Sequence, residues 1–416
     1  MEPRHRFDGV DLHELASQVP TPFYAYSASA IRQRVGELQA ALSGTDARIC
    51  FAVKANGNLA VLRLMAGLGV GADIVSAGEM HRALRAGIAP GHIVFSGVGK
   101  SASEIHEALK AGVWRFNIES EDELHTLQCE ADRLGAIARA SVRINPNVNA
   151  GTHAKISTGK SESKFGVNVD EARSWFLRAS SFPSVRLDGL HVHIGSQILH
   201  LAPFRQAMRQ VAEFAGELVA SGHRINVIDV GGGLGVRYRH GHDQPLPVDE
   251  YAAMLRAVFA EFDGTLVLEP GRYLVAEAGV LITRVIRIKQ GPTREFLVVD
   301  AAMNDLQRPA MYDAWHEIVP LHEHGGGDTR YDVVGPVCET GDTFAVQRSM
   351  PRCLAGDLLL IANAGAYGAS MSSNYNSRPL TAEVMLDRGR HAVVRRRQSF
   401  GEMIAGESLA AEWQTA

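Results

Sequence analysis

Cysteine is scarce in this 416-residue chain. There are four, Cys50, Cys129, Cys338 and Cys353, and no C-x-x-C among them. Such spacing supports neither a zinc knuckle nor a disulfide framework. A surplus of one charge sign is also missing, the formal net charge being -4. No bulk electrostatic drive toward nucleic acid or an anionic membrane follows from that balance. No apolar run is long enough to span a bilayer, and the N-terminal MEPRHRFDGV has no apolar segment of the secretory kind. Cytoplasmic residence is therefore the expectation. Hydrophobic residues at 46% and charged residues at 21% describe an ordinary globular chain. Its length exceeds the usual limit for one core, so a large domain and a smaller one are expected.

What is present is a repeat. From Ser27 to about Leu42 the spacing predicts a helix. Strand-like segments then recur at 49–55, 71–76, 92–97, 115–120, 141–146, 189–195, 227–233 and 265–271, with helical patterns between them. Three of those helices open on Ser-x-x-Glu: Ser76 with Glu79, Ser101 with Glu104, and Ser120 with Glu123. That spacing lets the two residues exchange side-chain-to-backbone bonds at a helix start. Gly69, Gly87, Gly112 and Gly135 stand where left-handed C-caps are expected. Eight strand-plus-helix units match a (β/α)8 barrel over 27–278, with a doubly wound open sheet as the alternative. One longer interval, between Asn145 and Leu190, holds a polar loop rich in glycine and lysine. After Gly279 the pattern becomes short β-branched runs separated by turns, which reads as a mostly antiparallel β-domain of 279–416. The extended, proline-punctuated segment ending in VPTPFYAY (within 1–26) is a candidate additional strand of it. Long loops at 303–320 and 365–379 carry Arg, Tyr and Asn, content more often functional than idle.

The chemistry gathers at the predicted strand ends, where barrels place reactive groups. In FAVKAN, Lys54 closes an apolar run. An ammonium against apolar walls is poorly solvated and yields a nucleophilic amine able to condense with aldehydes. The plainer reading is a surface lysine ending a strand. His191 and His193 are two apart and would share a face of one strand. They allow a metal pair completed by Glu269 and Asp229, or a hydrogen-bonded His191 beside a His193 that stacks on a flat ring. Gly231, Gly232 and Gly233 follow a strand directly and admit either a phosphate cradle or a tight turn. Arg272, in Glu269-Pro270-Gly271-Arg272, offers the forked donor that phosphate prefers. Two lookalikes fail. GVGKS at 97–101 lacks the upstream P-loop glycine, Val94 standing there. GLGVGA at 67–72 precedes a strand instead of opening a helix.

Taken together, the stretches FAVKANGNLAVL, IVFSGVGKS, FNIES, ISTGKSESKFGV, HVHIGSQI, DVGGGLGV, EPGR, MNDLQRPAMYDAWHEI, VVGPVCETGD and AGAYGASMSSNYNSRP resemble the barrel-type pyridoxal-phosphate decarboxylases, above all the diaminopimelate decarboxylases. The resemblance runs from TPFYAY to NYNSRP. It departs at Ala77 and Ala302, where the family often has glycine.

The resemblance implies pyridoxal 5'-phosphate as cofactor, held covalently by Lys54. His193, Gly231, Gly232, Gly233, Glu269, Pro270, Gly271, Arg272 and Tyr367 would complete its site, with no metal. Glu269 would keep the ring nitrogen protonated, which strengthens the electron sink that a decarboxylase needs. Barrel-type racemases, similar in fold, place an arginine there. Arg272, Arg308 and Tyr312 resemble ligands of the substrate's distal carboxylate, Glu339 a ligand of its distal ammonium, and Tyr367 a residue shared with the cofactor. Cys338 resembles the donor that protonates the carbon from which CO2 has left. The family supplies Cys338 and Glu339 from the partner subunit, so a homodimer is implied. The implied reaction converts meso-2,6-diaminopimelate to L-lysine and CO2, the last step of lysine biosynthesis. Alternatives are a decarboxylase of ornithine, arginine or carboxynorspermidine, a metal-dependent barrel hydrolase, and a non-enzymatic cofactor-binding protein. The Arg308–Tyr312 pair with Glu339 weighs against the first, and the full C-terminal domain weighs against the last.

Overall fold

The computed structural model describes residues 4–149, 164–325 and 327–409. The chain divides into two compact units, Ala28–Ala278 and Met1–Ser27 with Gly279–Ala416.

The first unit is a closed parallel barrel of eight strands, β1 (Ala47–Ala52), β2 (Gly71–Ile74), β3 (Ile93–Phe95), β4 (Arg115–Ile118), β5 (Ala138–Arg143), β6 (Val185–His191), β7 (Val227–Asp229) and β8 (Thr265–Leu268). β8 pairs with β1 through Leu266↔Ala47 to Leu268↔Ile49, so no open edge remains. Closure, not an open doubly wound sheet, is the outcome. A strand buried on both faces needs apolar side chains throughout, which is why IVF, VID and TLVL carry no regular alternation. The helix predicted from Ser27 spans Ala28–Ala41.

The helix starts differ in detail from their common Ser-x-x-Glu pattern. Ser101 and Glu104 form the full reciprocal capping box. Ser76 and Ser120 each accept from the expected N–H, of Glu79 and Glu123. Their glutamates, however, reach one residue further back, to the N–H of Val75 and of Glu119. Gly87, Gly112 and Gly135 are left-handed C-caps, and Gly69 follows the cap Leu68 in the same conformation. Most of the polar loop after Asn145 falls at 150–163, outside the described residues, and with it most of ISTGKSESKFGV.

The second unit is built on Gly279–Gln290, a twelve-residue strand. Its first half pairs with Phe23–Ser27 on one side and Leu358–Ile361 on the other, and its second half pairs with Glu295–Val299. The sheet extends through Asp328–Val334 and Thr343–Pro351 at one end and Ala382–Asp387 and Arg390–Arg395 at the other. The pairings of Phe23–Ser27 with Ala382–Asp387 and of Glu295–Val299 with Asp328–Val334 are parallel, and the other strand pairs are antiparallel. The N-terminal strand therefore belongs to this sheet. Phe23, Ala25, Val280, Ile282, Val384 and Leu386 form its buried core.

Candidate active site

β1 ends at Ala52, two residues short of Lys54, which lies in a 3-10 turn, Val53–Ala55. The strand-end placement is thus corrected by one turn. The apolar walls are corrected too. Lys54 Nζ donates to Asp73 Oδ2 at 2.8 Å, with the lysine side chain 39% exposed and the aspartate fully buried. Register explains the meeting, since Asp73 on β2 is the partner of Ala52 on β1. Burial raises the Asp73 carboxyl above its usual range, Glu269 adds to the rise, and Lys54 opposes it.

Glu269 follows β8 and is buried. Its Oε1 accepts from Ser96 Oγ at 3.1 Å and from Asn117 Nδ2 at 3.2 Å. His191 Nε2 lies 3.4 Å from Oε2, without hydrogen-bond geometry. Burial pushes the Glu269 carboxyl upward, but His191 and then Lys54 outweigh it and hold the group ionised. Asp229, on β7 beside His191 of β6, goes the other way. Burial and the charge of Glu269 keep it protonated. Its Oδ1 accepts from Gly231 N at 2.9 Å, and its Oδ2 meets Asn117 Nδ2 at 3.1 Å. Asn117, from the middle of β4, thus ties Ser96, Asp229 and Glu269 together.

β6 ends at His191, so His193 lies beyond the strand rather than on it. Neither ring nitrogen of His191 makes a hydrogen bond of good geometry, and its polar contact is the charge pairing of Nε2 with Glu269 Oε2. His193 Nδ1 accepts from Gly232 N at 3.1 Å. Burial, then the charges of Arg143 and Lys54, push this imidazole down to about 3, so it is neutral at ordinary pH.

The glycine turn is tight for steric reasons. A Cβ would come within 2.4 Å of Val192 O at Gly231, 2.3 Å of Glu269 O at Gly232 and 2.7 Å of Gly195 O at Gly233. The N–H groups of Gly231 and Gly232 are engaged within the protein, by Asp229 Oδ1 and His193 Nδ1. Arg272, also buried, donates to Ser196 Oγ at 2.9 Å and Tyr238 Oη at 2.7 Å. A Cβ at Gly271 would come within 3.0 Å of the Ala52 and Ala55 side chains, and Pro270 O accepts from Ala52 N at 3.2 Å. The lysine of GVGKS, Lys100, is structural: buried, it pairs with Glu123 at 2.7 Å and donates to Asn117 O.

One donor atom each from His191, Asp229 and Glu269 lies within 4.8 Å of the others. Both carboxyl oxygens of Asp229 and Oε1 of Glu269 already accept hydrogen bonds, which disfavours a cation there, and His193 is absent from the cluster. The set suits pyridoxal phosphate better: an amine on a turn, a neutral imidazole, an ionised buried carboxylate, and an arginine beside a glycine turn. Asn117 Oδ1 and the His191 nitrogens are buried without partners, polar capacity consistent with a bound polar ring.

The other predicted residues belong to the second unit. Arg308 and Tyr312 open and close the short helix Arg308–Tyr312, with Arg308 buried. Cys338 and Glu339 are exposed on a turn, where Cys338 N donates to Asn376 Oδ1 at 2.9 Å. Asp342 fastens that turn by accepting from Val337 N at 2.7 Å and Met303 N at 2.6 Å. Tyr367 has a left-handed backbone, φ 55°. Sequence reasoning missed Asp73, Asn117 and Arg143. Their signal was present as polar residues inside apolar strands: GADI, RFNI and ARASVR.

Residues 28–276 match the family model of the pyridoxal-dependent decarboxylase, pyridoxal binding domain. A diaminopimelate decarboxylase of Zymomonas mobilis is 47% identical over 98% of this chain and 97% of that one. One from Pseudomonas aeruginosa is 46% identical over 97% and 96%. The solved structure of Helicobacter pylori diaminopimelate decarboxylase complexed with L-lysine superposes with a TM-score of 0.92, at 44% identity over 95% of this chain and 99% of that one. With its barrel matched throughout and relatives nearly half identical from end to end, the chain belongs to the pyridoxal-dependent decarboxylases, in the family of the diaminopimelate decarboxylases.

Proposed function

We propose that the protein decarboxylates meso-2,6-diaminopimelate at its D-centre, releasing L-lysine and CO2 as the last step of lysine biosynthesis. Glu269 carries the reading: a buried carboxylate at the carboxyl end of a barrel, held ionised by His191 and Lys54. Bound pyridoxal phosphate supplies an electron sink for the carbanion left by departing CO2. Glu269 would keep a proton on the ring nitrogen, Lys54 would hold the cofactor through its amine, and His193 would offer its neutral ring face. Gly231, Gly232, Gly233, Pro270, Gly271, Arg272 and Tyr367 complete the cofactor's surroundings, with Arg272 toward the phosphate. Arg272, Arg308 and Tyr312 bind the distal carboxylate, Glu339 binds the distal ammonium, and Tyr367 touches the substrate as well. Two cations and an anion suit a substrate with amino-acid groups at both ends. Cys338 delivers the proton that replaces CO2.

The site is completed across a homodimer, with Cys338 and Glu339 supplied by the partner. The enzyme works in the cytoplasm, in keeping with the absence, among the described residues, of a helix long and apolar enough to cross a membrane. Activity confined to a membrane fraction would oppose that placement. CO2 release from diaminopimelate, ornithine and arginine tests the substrate. Diaminopimelate is expected to be preferred by orders of magnitude, and preference for either other amino acid overturns the assignment. Mixing inactive Lys54→Ala and Cys338→Ala chains is expected to restore part of the activity. No recovery after demonstrated subunit exchange rejects the shared site.

A further inference from the structure

The guanidinium of Arg308 is not aimed by its own helix alone. Pro309 lies in the first turn of the five-residue helix Arg308–Tyr312, and Asp313 ends it with a left-handed backbone, φ 50°. That turn sends the chain back past the helix start. The following strand, Ile318–Pro320, pairs antiparallel with Leu358–Ile361 through Ile318↔Ile361. Continuing that register outward, Ala362 N donates to Glu317 O at 2.9 Å, which brings Ala362 beside His316. His316 is buried, with Nδ1 2.7 Å from Ala362 O and Nε2 2.8 Å from Arg308 Nη1.

These two contacts fix the tautomer. A carbonyl oxygen only accepts, so Nδ1 carries the hydrogen. A guanidinium only donates, so Nε2 presents its lone pair. The imidazole therefore converts the backbone carbonyl of Ala362, the residue just past a sheet strand, into a fixed acceptor for one arm of Arg308. The backbone around the ring is itself anchored, because Arg348 Nη1 donates to His316 O at 2.9 Å while its guanidinium lies over the Trp315 ring, 3.4 Å from the centroid.

We propose that His316 is a positioning residue for substrate specificity: by accepting from Nη1 it orients Arg308 to grip the distal carboxylate of the substrate. This rests on the reading of Arg308 as a ligand of that carboxylate. An arginine fork discriminates a carboxylate only when its plane is fixed, since bidentate pairing demands both N–H vectors at once. An arginine left to rotate gives a point charge in place of a template.

The test uses the holoenzyme and four chains: wild type, His316→Leu, His316→Gln and Arg308→Ala. His316→Leu, which has no acceptor, is expected to raise KM for diaminopimelate about tenfold, the effect of losing one hydrogen bond to a charged group, with kcat within about threefold. His316→Gln places an amide oxygen near the lost Nε2 and is expected to recover most of the KM. An unchanged KM in His316→Leu, alongside a raised KM in Arg308→Ala, overturns the role of His316 and leaves the carboxylate reading standing. An unchanged KM in Arg308→Ala overturns that reading, and the inference with it. Should His316→Leu fail to fold, the imidazole 15N spectrum of the wild-type holoenzyme decides: the Nδ1–H tautomer is expected, and a protonated Nε2 overturns the proposal.

Discussion

Two carboxyl groups meeting in a dry barrel cannot both ionise without a large cost, and the Asp229–Glu269 pair divides the burden unequally. Glu269 keeps its charge because His191 and Lys54 face it, and Asp229 keeps a proton because burial and Glu269 press on it. Asp229→Asn, which matches the protonated carboxyl in shape and keeps an acceptor for Gly231 N, is expected to leave the melting temperature within a few degrees and activity within about tenfold. Glu269→Gln removes the charge proposed to face the ring nitrogen and is expected to lower kcat on the order of a hundredfold or more. Thermal melts and CO2 release check both; equal losses in the two variants reject the division of roles. Lys54, Glu269 and Arg272 were legible as residues because each closes an apolar segment with a reactive group. Asp73 and Asn117 were not singled out, because a lone polar residue inside a strand has meaning only through the neighbours that register gives it.

Among the elements, the helix starts show how a shared motif diverges in space. Glu104 does more than close its capping box. Its Oε2 accepts from Ser101 N at 3.1 Å and its Oε1 from Ala77 N at 3.0 Å, bonding the first residue of the helix Ala77–Ala86. Glu104→Ala leaves two donors unmatched and is expected to cost about 1–2 kcal/mol, against about 1 kcal/mol for Ser101→Ala. Urea unfolding of the two variants measures the difference, and an equal cost would show that the bridge to Ala77 contributes nothing. Spacing alone predicted three equivalent boxes. The structure forms one, because Glu79 and Glu123 find the N–H before the cap within easier reach.

The pH response of the whole fold follows from where acids are buried. Burial, with Asp73 adding to it, pushes the Glu79 carboxyl up to about 7 from an ordinary value of 4.5. A pKa raised on folding means that the native state binds the proton more tightly than the unfolded chain. Its contribution to stability is therefore full below about 4.5 and is lost as pH rises toward 7. Screening of a group that is only partly buried brings the effect to the order of 1–2 kcal/mol. Glu79→Gln still accepts from Val75 N through its amide oxygen. It is expected to stabilise the protein at pH 8 relative to wild type and to leave it little changed at pH 4. Melts at the two values check the sign, and a stabilisation larger at pH 4 refutes it.

By itself the sequence determined the eight-fold strand and helix alternation, the change to short β-branched strands after Gly279, and the reactive residues that follow the strands. Those are written in local periodicity and in residue chemistry, which need no knowledge of distant partners. Tertiary structure alone decided that the sheet closes, that Lys54 meets Asp73, that Asn117 joins Ser96, Asp229 and Glu269, and that His316 faces Arg308. The contacts borne by strands depend on register between segments far apart in the chain, and a shift of one residue would turn those side chains to the opposite face.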